Sequence, residues 1–199
     1  VNTVTTANVI KMIRGHIRDI LKTNGKDCFQ YDSDPSFSLS QDFVSSTTIK
    51  VYKNGTLLTL TSDYTYNSDT NQVTILTDLT KKDDIIIKYS YYEKYSDTEI
   101  ICFINASLSK FVIHRYPKYF YLNSSDEVVT KNGINPTVEE GNIIAVITAI
   151  DIDPNNVNIK TKDFSISAEE NMSKTEQIDK IFAKWMRSFG DVTFLENDN

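Results

Sequence analysis

Few side chains in this 199-residue sequence stand at spacings that chemistry uses. His16, Cys28, Cys102 and His114 are the donor types of a Cys2His2 zinc site. Neither pair has the close C-x-x-C or H-x-x-x-H spacing that makes such a site readable, so two buried thiols and two ordinary histidines are expected instead. Asp151-Ile152-Asp153-Pro154-Asn155 opens like a calcium loop. Asn156, however, stands where that loop turns on glycine, and Lys162 stands where it needs a bidentate glutamate, so a helix-to-strand turn is expected. Phosphate cradling asks for closely spaced glycines or G-K-[ST], and the sequence has neither. No serine sits in a G-x-S-x-G elbow, and neither cysteine has a histidine beside it. A metal-dependent nuclease of the restriction type carries an acid two residues before a strand lysine, and no lysine here has one. The acidic pairs Asp83-Asp84 and Glu139-Glu140 suit a turn and a helix start. The sequence therefore predicts no catalytic residue, no cofactor and no bound metal.

The elements behind these residues are those of a globular chain. Hydrophobic residues make up 40% and charged ones 24%, with 11 Tyr and 10 Phe against 6 Gly and 4 Pro, which favours packed elements joined by short turns. The net charge of -6 argues against a chain that grips nucleic acid through its phosphates. No stretch approaches the roughly 18 apolar residues of a membrane span. The Val-Asn-Thr start lacks a basic and apolar leader, so no secretion signal is expected and synthesis in a bacterial cytoplasm fits. Two cysteines do not make a disulfide framework.

Periodicity predicts a first helix over Thr5–Asn24, built on Val9, Ile13, Ile17, Ile20 and Leu21, with Arg14, Arg18, Asp19 and Lys22 on its wetter face and Gly25 as its cap. Lys26 to Gln41 has loop composition. A β block follows: Thr47 to Lys53, the hairpin dipeptide Asn54-Gly55, Thr56 to Leu60, Asp63 to Tyr66, Val73 to Leu76, and Ile85 to Tyr92, expected as an antiparallel meander. Three capping boxes open the remaining helices: Ser96 with Glu99, Thr137 with Glu140, and Ser173 with Glu176. The helix after Thr137 is apolar nearly all round and should be central. Val157 to Ile166 alternates like a hairpin arm. The expected class is α+β, a four-helix core (1–41 and 95–199) with an inserted small antiparallel β module (42–94).

Two segments and the insert carry a resemblance. The first helix reads Val9-Ile10-x-x-Ile13-Arg14-x-x-Ile17-Arg18-Asp19. The second opens Tyr95-Ser96-Asp97-Thr98-Glu99-Ile100 and continues Phe103-Ile104-Asn105-Ala106-Ser107-Leu108. In this order they resemble the head-to-tail connector (adaptor) proteins of tailed phages, over about a quarter of the chain. The insert, Val51-Tyr52-Lys53-Asn54-Gly55 to Asp63-Tyr64-Thr65-Tyr66, Gln72-Val73-Thr74-Ile75 and Asp84-Ile85-Ile86-Ile87, is similar to a small β module of phage structural proteins. Compact members of the connector family lack such an insert.

The resemblance implies a connector-type helical core and a structural virion protein of the neck. It would form a dodecameric homo-oligomeric ring between the portal protein and a tail or second connector protein, with DNA passing through the channel unread. It also implies that the last segment, Gly190 to Asn199, reaches the portal. The residues Val192, Phe194 and Leu195 suit addition to a neighbour's sheet edge, the alternative being a frayed terminus. Tyr91, Tyr92 and Tyr95 cluster at the exit of the β module, either as packing or as a contact for a neighbouring subunit. Other readings are a tail-completion or baseplate-side protein with the same module, a cytosolic binding module, and an enzyme of unread type.

Overall fold

A computed structural model describes residues 2–154, 158–160, 165–167 and 172–188 of the chain. It is an α+β fold whose contacts divide it into two compact units, Val1–Arg18 with Thr98–Asn199, and Asp19–Asp97.

The first unit holds four helices: α1 (Thr6–His16), α2 (Asp97–Ile113), α3 (Val138–Ile152) and α4 (Lys174–Ser188). Thr5 caps α1 by accepting from the Asn8 N–H. The expected capping boxes at α3 and α4 are formed. Thr137 and Glu140 satisfy each other's backbone at the start of α3, and Ser173 and Glu176 do the same ahead of α4. As its composition predicts, α3 is the centre of this unit: Ile143 through Ile150 are all buried. Phe111 of α2 meets Phe182 and Trp185 of α4 edge-on, with ring centroids 5.2 and 6.0 Å apart. The hairpin of β8 (Phe120–Leu122) and β9 (Val128–Thr130) adds Phe120 and Val128 to the core. It is pinned to α1 by Thr6, whose N–H donates to Glu127 and whose hydroxyl accepts from the Val128 N–H. A short antiparallel pair, β10 (Asn158–Lys160) and β11 (Ser165–Ser167), lies where the alternation after Val157 predicts it.

The second unit corrects the expected first helix and loop. Helix α1 ends at His16, and Arg18 takes a left-handed φ of 55°. Arg14 and Asp19, expected in water, are buried, whereas Ile20, expected on the apolar face, is 68% exposed. Lys22–Gln30 is not helix and loop but a strand, β1, paired antiparallel to β7 (Asp84–Tyr91). Gly25 is no helix cap. A Cβ there would stand 2.6 Å from the Tyr89 ring, so glycine is what lets β1 close on β7.

The strands are not a simple meander. One sheet has the order β1, β7, β3 (Lys50–Lys53), β4 (Thr56–Leu57), and a second has β2 (Ser36–Ser38), β6 (Gln72–Ile75), β5 (Tyr64–Asn67). The long, Ile-rich β7 takes a central place because it is the strand with most apolar surface to cover. Phe37, Tyr64 and Val73 from the second sheet and Val51, Ile85, Ile87 and Tyr89 from the first share one core. The Tyr64 hydroxyl donates to the Ile49 carbonyl across it. Asn54 and Gly55, both with positive φ, make the predicted hairpin turn. With β1 and β2 included, the β portion is substantial and not a small insertion.

Candidate functional site

The residues singled out for chemistry in the sequence stand in scattered places. Cys28 lies on β1 in the second unit and Cys102 on α2 in the first, both exposed and free, which corrects the expectation of buried thiols. His114, just past α2, stacks on Phe182 with ring centroids 4.2 Å apart, and its Nε2 lies 3.4 Å from Asp179 Oδ1. Among the described residues no three His, Cys, Asp or Glu side chains are grouped to hold a metal ion.

The strongest polar clusters are centred on two carboxylates of α3, the buried Glu140 and the half-buried Asp151. Glu140 accepts from the Thr137 N–H (2.8 Å), the Tyr116 hydroxyl (2.8 Å) and Lys118 Nζ (2.6 Å). Burial pushes its pKa up, but the bonds from Lys118, Thr137 and Tyr116 outweigh that and hold it below the ordinary glutamate value. The Tyr116 hydroxyl is raised, first by burial and then by facing Glu140. Asp151, the first residue of the calcium-like motif, is bound instead by Lys110, by Lys174 Nζ (2.8 Å) and by the Ser107 hydroxyl (2.6 Å). Its pKa, raised by burial, is lowered on balance by Lys110, Lys174 and Ser107. A carboxylate saturated by cations and held ionised is a poor proton acceptor. These two groups join elements: Glu140 ties α3 to the chain after α2, and Asp151 ties α2, α3 and α4 together.

The first unit leaves several large apolar side chains in water. Val112 and Ile113 at the end of α2, Tyr119 before β8 and Ile134 after β9 are all exposed, Ile113 at 72%. Helix α2 buries Ile100, Ile104, Leu108 and Phe111 and still has these aliphatic groups left over. The Tyr119 and Tyr121 rings stack with centroids 6.2 Å apart. Periodicity alone does not mark this set: it gives Val112 as one of the apolar positions of the helix and does not tell which of them face outward.

Of the tyrosines proposed as contacts, Tyr91 is half-buried against the core of the second unit, its ring 6.3 Å from that of Tyr89. Tyr92 is half-buried, and its N–H donates to the Phe43 carbonyl. Tyr95 is half-buried ahead of α2. Val192, Phe194 and Leu195 lie outside the described residues. No helix among the described residues is long and apolar enough to cross a membrane. No protein-family model and no curated protein matches this chain.

Proposed function

We propose that this chain is a virion structural protein, one subunit of a homo-oligomeric ring in the neck of a tailed phage, joining portal to tail around the DNA channel. The helical unit is then the connector-type body, and the β unit is an elaboration of it. The observation that carries this reading is the leftover apolar surface of the helical unit, above all Ile113 and Val112 on a helix whose inward face is already filled. Exposed aliphatic side chains gathered on one element suit a protein partner. A closed ring needs two different faces of one subunit to match. The resemblance of the first two helical segments to connector proteins supplies the phage context. The chemistry of the two α3 carboxylates agrees with a structural role, since both are spent on holding helices.

The test is to mix the purified chain with portal protein of the same virion and follow the mixture by light scattering. A portal-bound multimer is the expected result. A chain that ignores portal and stays a 22.7 kDa monomer at all concentrations would count against the reading. A multimer in a different copy number, found elsewhere in the virion, would favour a tail-completion or baseplate-side component.

A further inference from the structure

The solvent face of the sheet β1-β7-β3-β4 is ordered in rows. Lys26, Lys88 and Lys50 stand directly opposite one another on three adjacent strands, and all three are exposed. Two residues along, Cys28, Ile86, Tyr52 and Leu57 make an apolar row across all four strands. Neighbouring strands are about 4.8 Å apart, so the three lysine Cα atoms form a line roughly 10 Å long. Like charges placed directly opposite destabilise a sheet. Among the described residues no carboxylate lies within ion-pair distance of these three ammonium groups, although the chain has 27 acids. Lys88 Nζ sits 5.2 Å over the Tyr52 ring, which joins the basic row to the apolar one. The face is thus an amphipathic platform whose basic row meets no carboxylate among the described residues.

We propose that this platform docks residues 191–198 of a second copy of the chain. That stretch reads Asp191-Val192-Thr193-Phe194-Leu195-Glu196-Asn197-Asp198. It supplies three carboxylates for three lysines, and three apolar side chains for the row of Ile86, Tyr52 and Leu57. Fully extended, eight residues reach about 27 Å, enough to cross four strands spanning roughly 14 Å. A phosphate backbone would answer the lysines but leave the apolar row wet. The inference rests on the self-association in the reading above. It sends the last segment to a neighbouring copy, where the family resemblance would send it to portal.

The test is zero-length carbodiimide coupling of the full chain, mixed from 14N- and 15N-labelled batches and read by mass spectrometry. The expected products are amide links from Glu196, Asp198 or Asp191 of one copy to Lys26, Lys50 or Lys88 of another. They should fall at least tenfold in 1 M salt and in a Lys26→Gln/Lys50→Gln/Lys88→Gln variant. A Glu196→Gln/Asp198→Asn chain, which leaves the sheet untouched, should lose most of them as well. An assembly that forms with no such links, or with links only inside one copy, overturns this inference and leaves the ring intact. A monomer in light scattering sinks both. Retention of a 20-base-pair duplex by the native chain but not by the lysine variant would reassign the row to phosphate and overturn the proposal.

Discussion

The two units place their charge in different ways. The helical unit binds ionised carboxylates into its helix junctions, at Glu140 and Asp151, and leaves Val112, Ile113, Tyr119 and Ile134 in water. The β unit fills its core with Ile, Val, Phe and Tyr and sets a file of lysines outside. Its one buried carboxylate, Asp19, accepts from the Glu93 and Lys94 N–H groups and closes a backbone turn. Helices meet through side chains alone, so a multi-helix junction gains from a carboxylate that several elements can reach. Sheets are held by backbone bonds and need no such hub. Both units keep apolar side chains in water, Leu57, Leu60 and Leu76 of the β unit among them, so it is the lysine file that sets their surfaces apart.

The largest expected effect lies in the helical unit. Glu140→Ala strands Lys118, Tyr116 and the Thr137 N–H together, and should cost roughly 3 kcal/mol in urea unfolding. A cost under about 1 kcal/mol would show that solvent replaces the carboxylate and that the hub is incidental.

Acid should sharpen the same contrast. Glu140 and Asp151 are both held below their ordinary values. Their contribution is therefore complete above the usual carboxylate range, about pH 4, and is lost as pH falls through the lowered folded values. Amide protection factors, taken relative to the slower intrinsic exchange in acid, should fall in α3 before they fall in β7 between about pH 6 and pH 3. Equal loss in both units would contradict the assignment of the hubs. Tyr116 works in the opposite sense: its raised hydroxyl supports the fold below about pH 10 and ceases to as pH rises beyond that.

In the β unit, Gly25→Ala drives a methyl into the Tyr89 ring and carbonyl, and should cost about 2 kcal/mol in thermal unfolding. Tolerance of alanine there would mean β1 pairs more loosely with β7 than its register shows. The smallest effect has the opposite sign. Lys50→Gln removes one of two facing like-charge contacts and should stabilise the chain by about 0.2–1 kcal/mol, more at low salt than at high. A loss of stability would show that the row is compensated within the subunit.

Much of the helical unit was legible because its signals are local. Thr137 with Glu140 and Ser173 with Glu176 declare helix starts within four residues, and the apolar run after Ile143 declares the centre. Asn54-Gly55 declares its turn in two. What stayed hidden depends on distant partners. Lys22 to Gln30 is polar enough to pass for a helix end, its cap and a loop, and becomes a strand only because β7 lies beside it. Arg14 and Asp19 read as surface residues until tertiary contacts enclose them. The Asp151 hub draws on residues 41 and 23 positions away. The lysine file exists only in the register of three strands, so no spacing along the chain announces it. The leftover face of α2 was hidden for the same reason: the sequence shows apolar residues, and only packing shows which remain outside.

Self-association through that leftover surface is the central claim, and the mass of the full chain in solution tests it most directly. Light scattering on the native chain, without portal and over a rising concentration series, should converge on one closed multiple of 22.7 kDa, and an Ile113→Glu variant should fall back to the monomer while keeping its helical signal. A native chain that stays monomeric throughout, or a variant that assembles as well as the native chain, would contradict it.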